Sequence, residues 1–190
     1  MILPIAVYGH PILKKKGEQI DKNYLDLDKL IEDMYETMHY SNGVGLAAQQ
    51  INRAIRLFIV DATPYGEEYP EAKDFRKAFI NAEIIDTEGE VVDMEEGCLS
   101  VPEIREYVKR PETVYLNYYD EDFTFHEDEM FSGVTARIIQ HEYDHTDGIL
   151  FIERLPNIRK ILLKRKLSDI SNGKIDPGYK IILPRKKGKK

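Results

Sequence analysis

From Leu27 to Met38, apolar side chains recur at Leu27, Leu30, Ile31, Met34 and Met38, with Asp26, Asp28 and Glu32 towards the start. Steps of three and four put these side chains on one face, which predicts an amphipathic helix. The same periodicity predicts a second helix from about Ser132 to Thr146. A third, more basic one runs from about Asn157 to Ile170 and is closed by Asn172-Gly173. Between the first two lie runs of strand type, Arg56 to Asp61, Ala78 to Asp86, Glu90 to Met94, Thr113 to Tyr119 and Phe123 to His126; Tyr179 to Leu183 reads as a last strand. The breaker-rich stretch Thr63 to Pro70 predicts a surface loop, and no internal repeat is present. Helix, then strands, then helix predicts an α+β fold with antiparallel β-sheets packed around a central helix.

Length and composition narrow this picture without redirecting it. A chain of 190 residues that is 42% hydrophobic can fill one ordinary core, so one domain is expected over residues 1–184. Residues 185–190 differ: Arg185, Lys186, Lys187, Lys189 and Lys190 carry +5 of a chain whose net charge is −7, leaving −12 (−7 minus 5) on the rest. Such an acidic body lacks the clustered cations that phosphate contacts need, which argues against DNA binding by the fold. The tail reads as a disordered basic segment and is the one candidate for such phosphate contacts. The lone cysteine, Cys98, cannot form an intrachain disulfide; Met1 to Gly9 lacks the charged start and long apolar run expected of a secretory signal, and no apolar run approaches about 20 residues. A soluble cytoplasmic protein is the expectation.

Candidate chemistry sits on the second helix. Gln140-His-Glu-Tyr-Asp-His145 places two imidazoles four residues apart. On a helix that spacing brings them to one face, about 6 Å apart at Cβ, a separation that suits metal ligands. Glu142 lies between them, where it can reach a metal-bound water without ligating. His141 and His145 also continue the apolar stripe of Val134 and Ile138, and two imidazoles on a buried face need partners for their nitrogens. The metzincin pattern would require a third His where Phe151 stands, and the thermolysin-like pattern a downstream Glu that the chain lacks after Glu153. The third ligand must come from elsewhere, and Cys98 in Glu96-Gly-Cys-Leu-Ser100 offers a thiolate, with Gly97 expected to permit close approach.

Three blocks, Gly43-Val-Gly-Leu-Ala-Ala-Gln-Gln50, Glu96-Gly-Cys-Leu-Ser100 and Gln140-His-Glu-Tyr-Asp-His145, resemble the peptide deformylase signature in order and spacing. Weaker similarity extends from Tyr8-Gly-His-Pro11 to about Leu155. The resemblance implies an α+β fold whose central helix bears the metal, and removal of the formyl group from the N-terminal formylmethionine of nascent polypeptides, with release of formate. It implies one divalent ion on Cys98, His141 and His145, Fe(II) in the cell, with Zn(II) or Ni(II) tolerated. Glu142 would handle the proton, and the Leu99 backbone N–H and the Gln50 side-chain amide would face the oxyanion. Gly45 would bind the peptide backbone, Val44, Val134 and Ile138 would line the methionine pocket, and Glu96 with Arg110 would form an ion pair supporting the metal loop.

Departures from the pattern are Arg137, which stands beside that pocket where many relatives carry an apolar residue, Thr146 and Ala82. Arg137 therefore bears on pocket shape and polarity. Two alternatives stay open on the residues themselves. One is a metallopeptidase of internal peptide bonds, disfavoured by the ligands missing at Phe151 and downstream. The other is a non-catalytic metal-binding module, disfavoured by the presence of both Glu142 and Gln50.

Overall fold

The computed structural model describes residues 1–185, so the basic tail, apart from Arg185, lies outside the described residues. Five antiparallel strands form one sheet in the order β2-β3-β4-β5-β6: β2 (Gly45–Ala47), β3 (Leu57–Asp61), β4 (Arg76–Cys98), β5 (Val101–Tyr119) and β6 (Phe125–Ser132). The helices are α1 (Leu27–Tyr40), α2 (Gly133–Thr146) and α3 (Asn157–Ser171). Each starts and stops within about two residues of its expected bounds.

The sheet has a helix against each face, and β3 shows why. All five of its residues are buried, because Leu57 and Ile59 point to one side and Phe58 and Val60 to the other. Leu57 and Ile59 join Leu27, Ile31, Met34 and Met38 of α1. Phe58 and Val60 join Val134, Ala136, Ile138 and Ile139 of α2, with Phe58 stacked on Phe79 at 4.7 Å between ring centroids. A third cluster, including Val101, Ile104 and Val108 of β5, Phe151, and Leu163 and Leu167 of α3, fills the space under the far end of the β4–β5 hairpin.

The α2 helix is buried all round except at Gly133 and Tyr143. Its N-terminus is capped from a distance: Glu71 accepts from Val134 N at 3.1 Å, and Gly133 turns at φ +59° where an added Cβ would fall 2.1 Å from Glu71 Oε1. Glycine is required there on both counts.

Three strand expectations need correction. Ala78 to Asp86 and Glu90 to Met94 are parts of the single strand β4, which continues past Gly89 through register shifts rather than breaking. The β5 strand begins at Val101, well before the expected Thr113, and β6 runs on to Ser132. The antiparallel expectation also misses a small parallel pair, β1 (Ile5–Ala6) with β7 (Ile181–Ile182), which ties the segment after α3 to the start of the described chain.

Candidate metal centre and active site

Two local structures bring the donors together. The α2 helix presents His141 and His145 one turn apart, with ring centroids 5.2 Å from each other. The β4–β5 hairpin ends in a tight two-residue turn, Leu99-Ser100, with Cys98 paired to Val101 across it. The ligand atoms of Cys98, His141 and His145 all lie within 4.8 Å of one another. A thiolate and two imidazoles at that separation fit one Zn(II)- or Fe(II)-type cation.

Hydrogen bonds orient this donor set. Glu96 accepts from His141 Nδ1 at 2.9 Å, which turns Nε2 towards the cluster, and His145 Nε2 lies 3.3 Å from Cys98 Sγ. Arg110, 1% exposed, donates to Glu96 at 2.6 and 3.0 Å and to Asp144 at 2.8 Å, so the expected Glu96–Arg110 pair is present and extends onto α2. Arg154 donates to Asp144 as well, at 2.6 Å. Burial opposes ionisation of Glu96, but hydrogen bonds from His141 and Arg110 outweigh it and hold the carboxyl well below the usual carboxylate range. His141 is pushed up despite its burial, by Cys98 and Glu96. His145 is pushed down by burial and by the charge of His141.

Glu142 sits in the opposite environment. Burial raises its carboxyl to about 7, and Oε2 is buried without a hydrogen-bond partner among the described residues. The β2 strand and the segment leading into it pass so close that a Cβ on Gly45 would lie 2.4 Å from Glu142 Oε1, and one on Gly43 2.8 Å from Leu99 Cδ1. Close approach, rather than an unusual backbone angle, is what these two glycines supply. The same reasoning fails for Gly97: a Cβ there meets nothing nearer than 3.4 Å, so the approach of Cys98 does not depend on it.

Gln50 belongs to the short turn Ala48–Ile51 that follows β2. Its Oε1 accepts from Ala47 N at 2.8 Å, which fixes the orientation of the amide. The NH2 group then donates to Ser100 Oγ at 3.2 Å and lies 3.6 Å from Cys98 Sγ.

A cleft of about 850 Å³ opens over this group. Val44, Gly45, Gln50, Cys98, Leu99, Val134, Arg137, Ile138, His141 and Glu142 all line it. His145 does not and lies beneath, 1% exposed. Arg137 lines the cleft, yet its guanidinium is occupied by Glu96 (3.0 Å) and the carbonyls of Val108 (2.7 Å) and Val92 (2.6 Å). It is a tethered wall, not a free cation. Reading the sequence alone misses Tyr179, whose hydroxyl donates to the Leu99 carbonyl at 2.7 Å, and Ser100, whose N–H lies 3.4 Å from Cys98 Sγ. Ser100 could have been found from its place next to the cysteine; nothing local marks Tyr179.

Comparison with known proteins decides the family. The sequence profile described as polypeptide deformylase matches residues 2–160. The chain belongs to the polypeptide deformylase family. The peptide deformylase of Christiangramia forsetii is 48% identical across 98% of both chains. Among solved structures, the peptide deformylase of Legionella pneumophila superposes with a TM-score of 0.80 at 32% identity, covering 92% of this chain and 98% of that one. The peptide deformylase of Thermus thermophilus gives 0.79 at 37%, covering 91% and 99%. The deformylase chain is thus an α+β, metal-dependent hydrolase that acts in protein biosynthesis by deformylating N-terminal N-formylmethionine. Its described residues contain no helix long and apolar enough to cross a membrane.

Proposed function

We propose that Cys98, His141 and His145 hold one divalent cation, Fe(II) in the cell with Zn(II) or Ni(II) as tolerated substitutes, and that Glu142 manages the proton of the hydrolysis. The observation that carries this reading is the convergence of a cysteine sulfur and two imidazoles beside a carboxyl that burial pushes up to about 7. A cation held there would supply Lewis acidity towards the attacking water and the formyl carbonyl. Glu142 Oε2, with no hydrogen-bond partner among the described residues, takes a proton from the attacking water and later returns it to the departing amine nitrogen of the peptide. A carboxyl poised near neutrality can do both.

Gln50 Nε2 and the Leu99 N–H are the two donors for the oxyanion. The hydrogen bond from Ala47 presets the Gln50 amide, so little reorganisation accompanies charge development. Gly45 lies along the substrate backbone, and Val44, Val134 and Ile138 form the apolar seat for the methionine side chain, with Arg137 as its tethered wall. The substrate is a nascent formyl-peptide, met in the cytoplasm by a single catalytic domain of residues 1–184. The basic residues 185–190 favour encounter with the ribosome.

The test is formate release by anaerobically prepared protein from formyl-Met-Ala and, in parallel, cleavage of an unformylated peptide, with elemental analysis of the same sample. Release from the formylated peptide alone, with about one metal ion per chain, is the expected result. Internal cleavage of the unformylated peptide would replace this reading with that of an endopeptidase.

A further inference from the structure

The turn that carries Cys98 is held from three directions. Tyr8 N donates to the Ser100 carbonyl at 2.8 Å, Gln50 Nε2 donates to Ser100 Oγ at 3.2 Å, and the Tyr179 hydroxyl donates to the Leu99 carbonyl at 2.7 Å. The last contact comes from a segment beyond residues 2–160 and is delivered by the parallel pairing of β7 with β1. Ile5 N donates to the carbonyl of Lys180, the residue after Tyr179, at 2.9 Å. The Tyr179 ring itself packs against the cluster that contains Ile5, Met34 and Leu57.

The Leu99 carbonyl and the Ser100 N–H belong to one planar peptide group. That N–H is the donor 3.4 Å from Cys98 Sγ. A continuous chain of contacts therefore runs from the Tyr179 hydroxyl through the Leu99–Ser100 peptide to the sulfur. We propose that Tyr179 is a positioning residue for the metal centre, locking the Leu99–Ser100 peptide plane so that the Ser100 N–H stays on the sulfur of Cys98. Two effects follow from the chain. A donor on the carbonyl polarises the amide and strengthens its N–H towards sulfur. A hydrogen-bonded thiolate in turn gives less charge to a cation and is held in a fixed direction. Burial raises the Tyr179 phenol, with Cys98 adding to the shift, so the hydroxyl remains a donor across the working pH range.

The inference rests on Cys98 being a ligand, and the experiment separates the two claims. Co(II) is loaded into wild type and into Tyr179→Phe, which keeps the packed ring and removes only the hydroxyl. The thiolate-to-cobalt charge-transfer band, the rate of Co(II) release to a chelator, and hydrogen exchange at the Ser100 amide of the metal-free proteins are then measured. In Tyr179→Phe the band should move to lower energy because the sulfur donates more charge; release should nonetheless speed up about tenfold, the lower end for loss of a group that orients a ligand, because the lost direction outweighs the stronger donation, and Ser100 should exchange faster, with the melting temperature unchanged. A Tyr179→Phe protein with the wild-type band and release rate overturns the proposal. So does a wild-type Ser100 amide that already exchanges as fast as a free loop, a result that needs no variant. Wild-type protein lacking any charge-transfer band would remove Cys98 from the ligand set, and both claims would fall.

Discussion

Gly45 lies where only a hydrogen fits, because any side chain there would meet the carboxylate of Glu142 at 2.4 Å. Gly45→Ala should therefore displace that carboxylate and lower kcat by roughly 10², the scale of loss for a misplacement near 1 Å, while metal content stays at the wild-type level. Wild-type turnover in that variant would mean that β2 can move aside freely. Cys98 and Glu142 should fail in two distinguishable ways. Cys98→Ala removes a thiolate from the donor set, so metal is lost or weakly held and folding stability falls with it. Glu142→Ala leaves the donors intact, so the protein should purify with near-stoichiometric metal yet release little formate. Metal analysis beside a formate assay checks both, and loss of metal from Glu142→Ala equal to that from Cys98→Ala would make Glu142 a ligand. At this scale the sequence is most readable, since His141 and His145 stand four residues apart, a spacing that alone implies a shared face, with Glu142 between them. The roles of Gly45 and Gly97 are not readable, because the need for a bare backbone depends on what passes it, and only Gly45 has a close neighbour.

Elements show where periodicity helps and where it misleads. The α1 helix shows a clear stripe because one face meets the sheet and the other meets water. The first half of β5 alternates just as regularly, with Ile104, Glu106, Val108 and Arg110 inward and Arg105, Tyr107 and Lys109 outward. Two of its inward positions are charged, so a search for alternating apolar residues passes over it. Those charges are stable inside because each has a partner: Arg159 Nε donates to Glu106 at 2.9 Å, and Arg110 binds Glu96 and Asp144. Arg110 joins β4 and β5 to α2, and its removal leaves two carboxylates in the interior with weakened compensation. Arg110→Met should destabilise the metal-free protein by about 3–5 kcal/mol, the usual cost of breaking one side of a buried ion pair. Urea denaturation measures this directly, and a loss under about 1 kcal/mol would show that Arg137 and Arg154 already suffice for Glu96 and Asp144.

Across the whole molecule, charge separates an acidic body from a basic end. Deleting residues 185–190 should leave turnover of a short formyl-peptide unchanged, since every residue given a role at the site lies before residue 180, and should weaken co-sedimentation with ribosomes at low salt. Equal co-sedimentation of the full and shortened chains would reject a role for the tail in that encounter. The α+β class, the three helices, the two histidines with their intervening glutamate, and the family itself were determined by the sequence alone. Each depends on residues close together in the chain or on blocks whose order is visible in it. Tertiary structure alone decided that β4 bends without breaking and that β1 and β7 pair in parallel. It also tethered the Arg137 guanidinium to Glu96 and two carbonyls within the cleft wall, and brought Tyr179 onto the turn that bears Cys98. Those outcomes are set by contacts between distant segments, each of which satisfies a buried polar group or covers an apolar face that the local sequence leaves open.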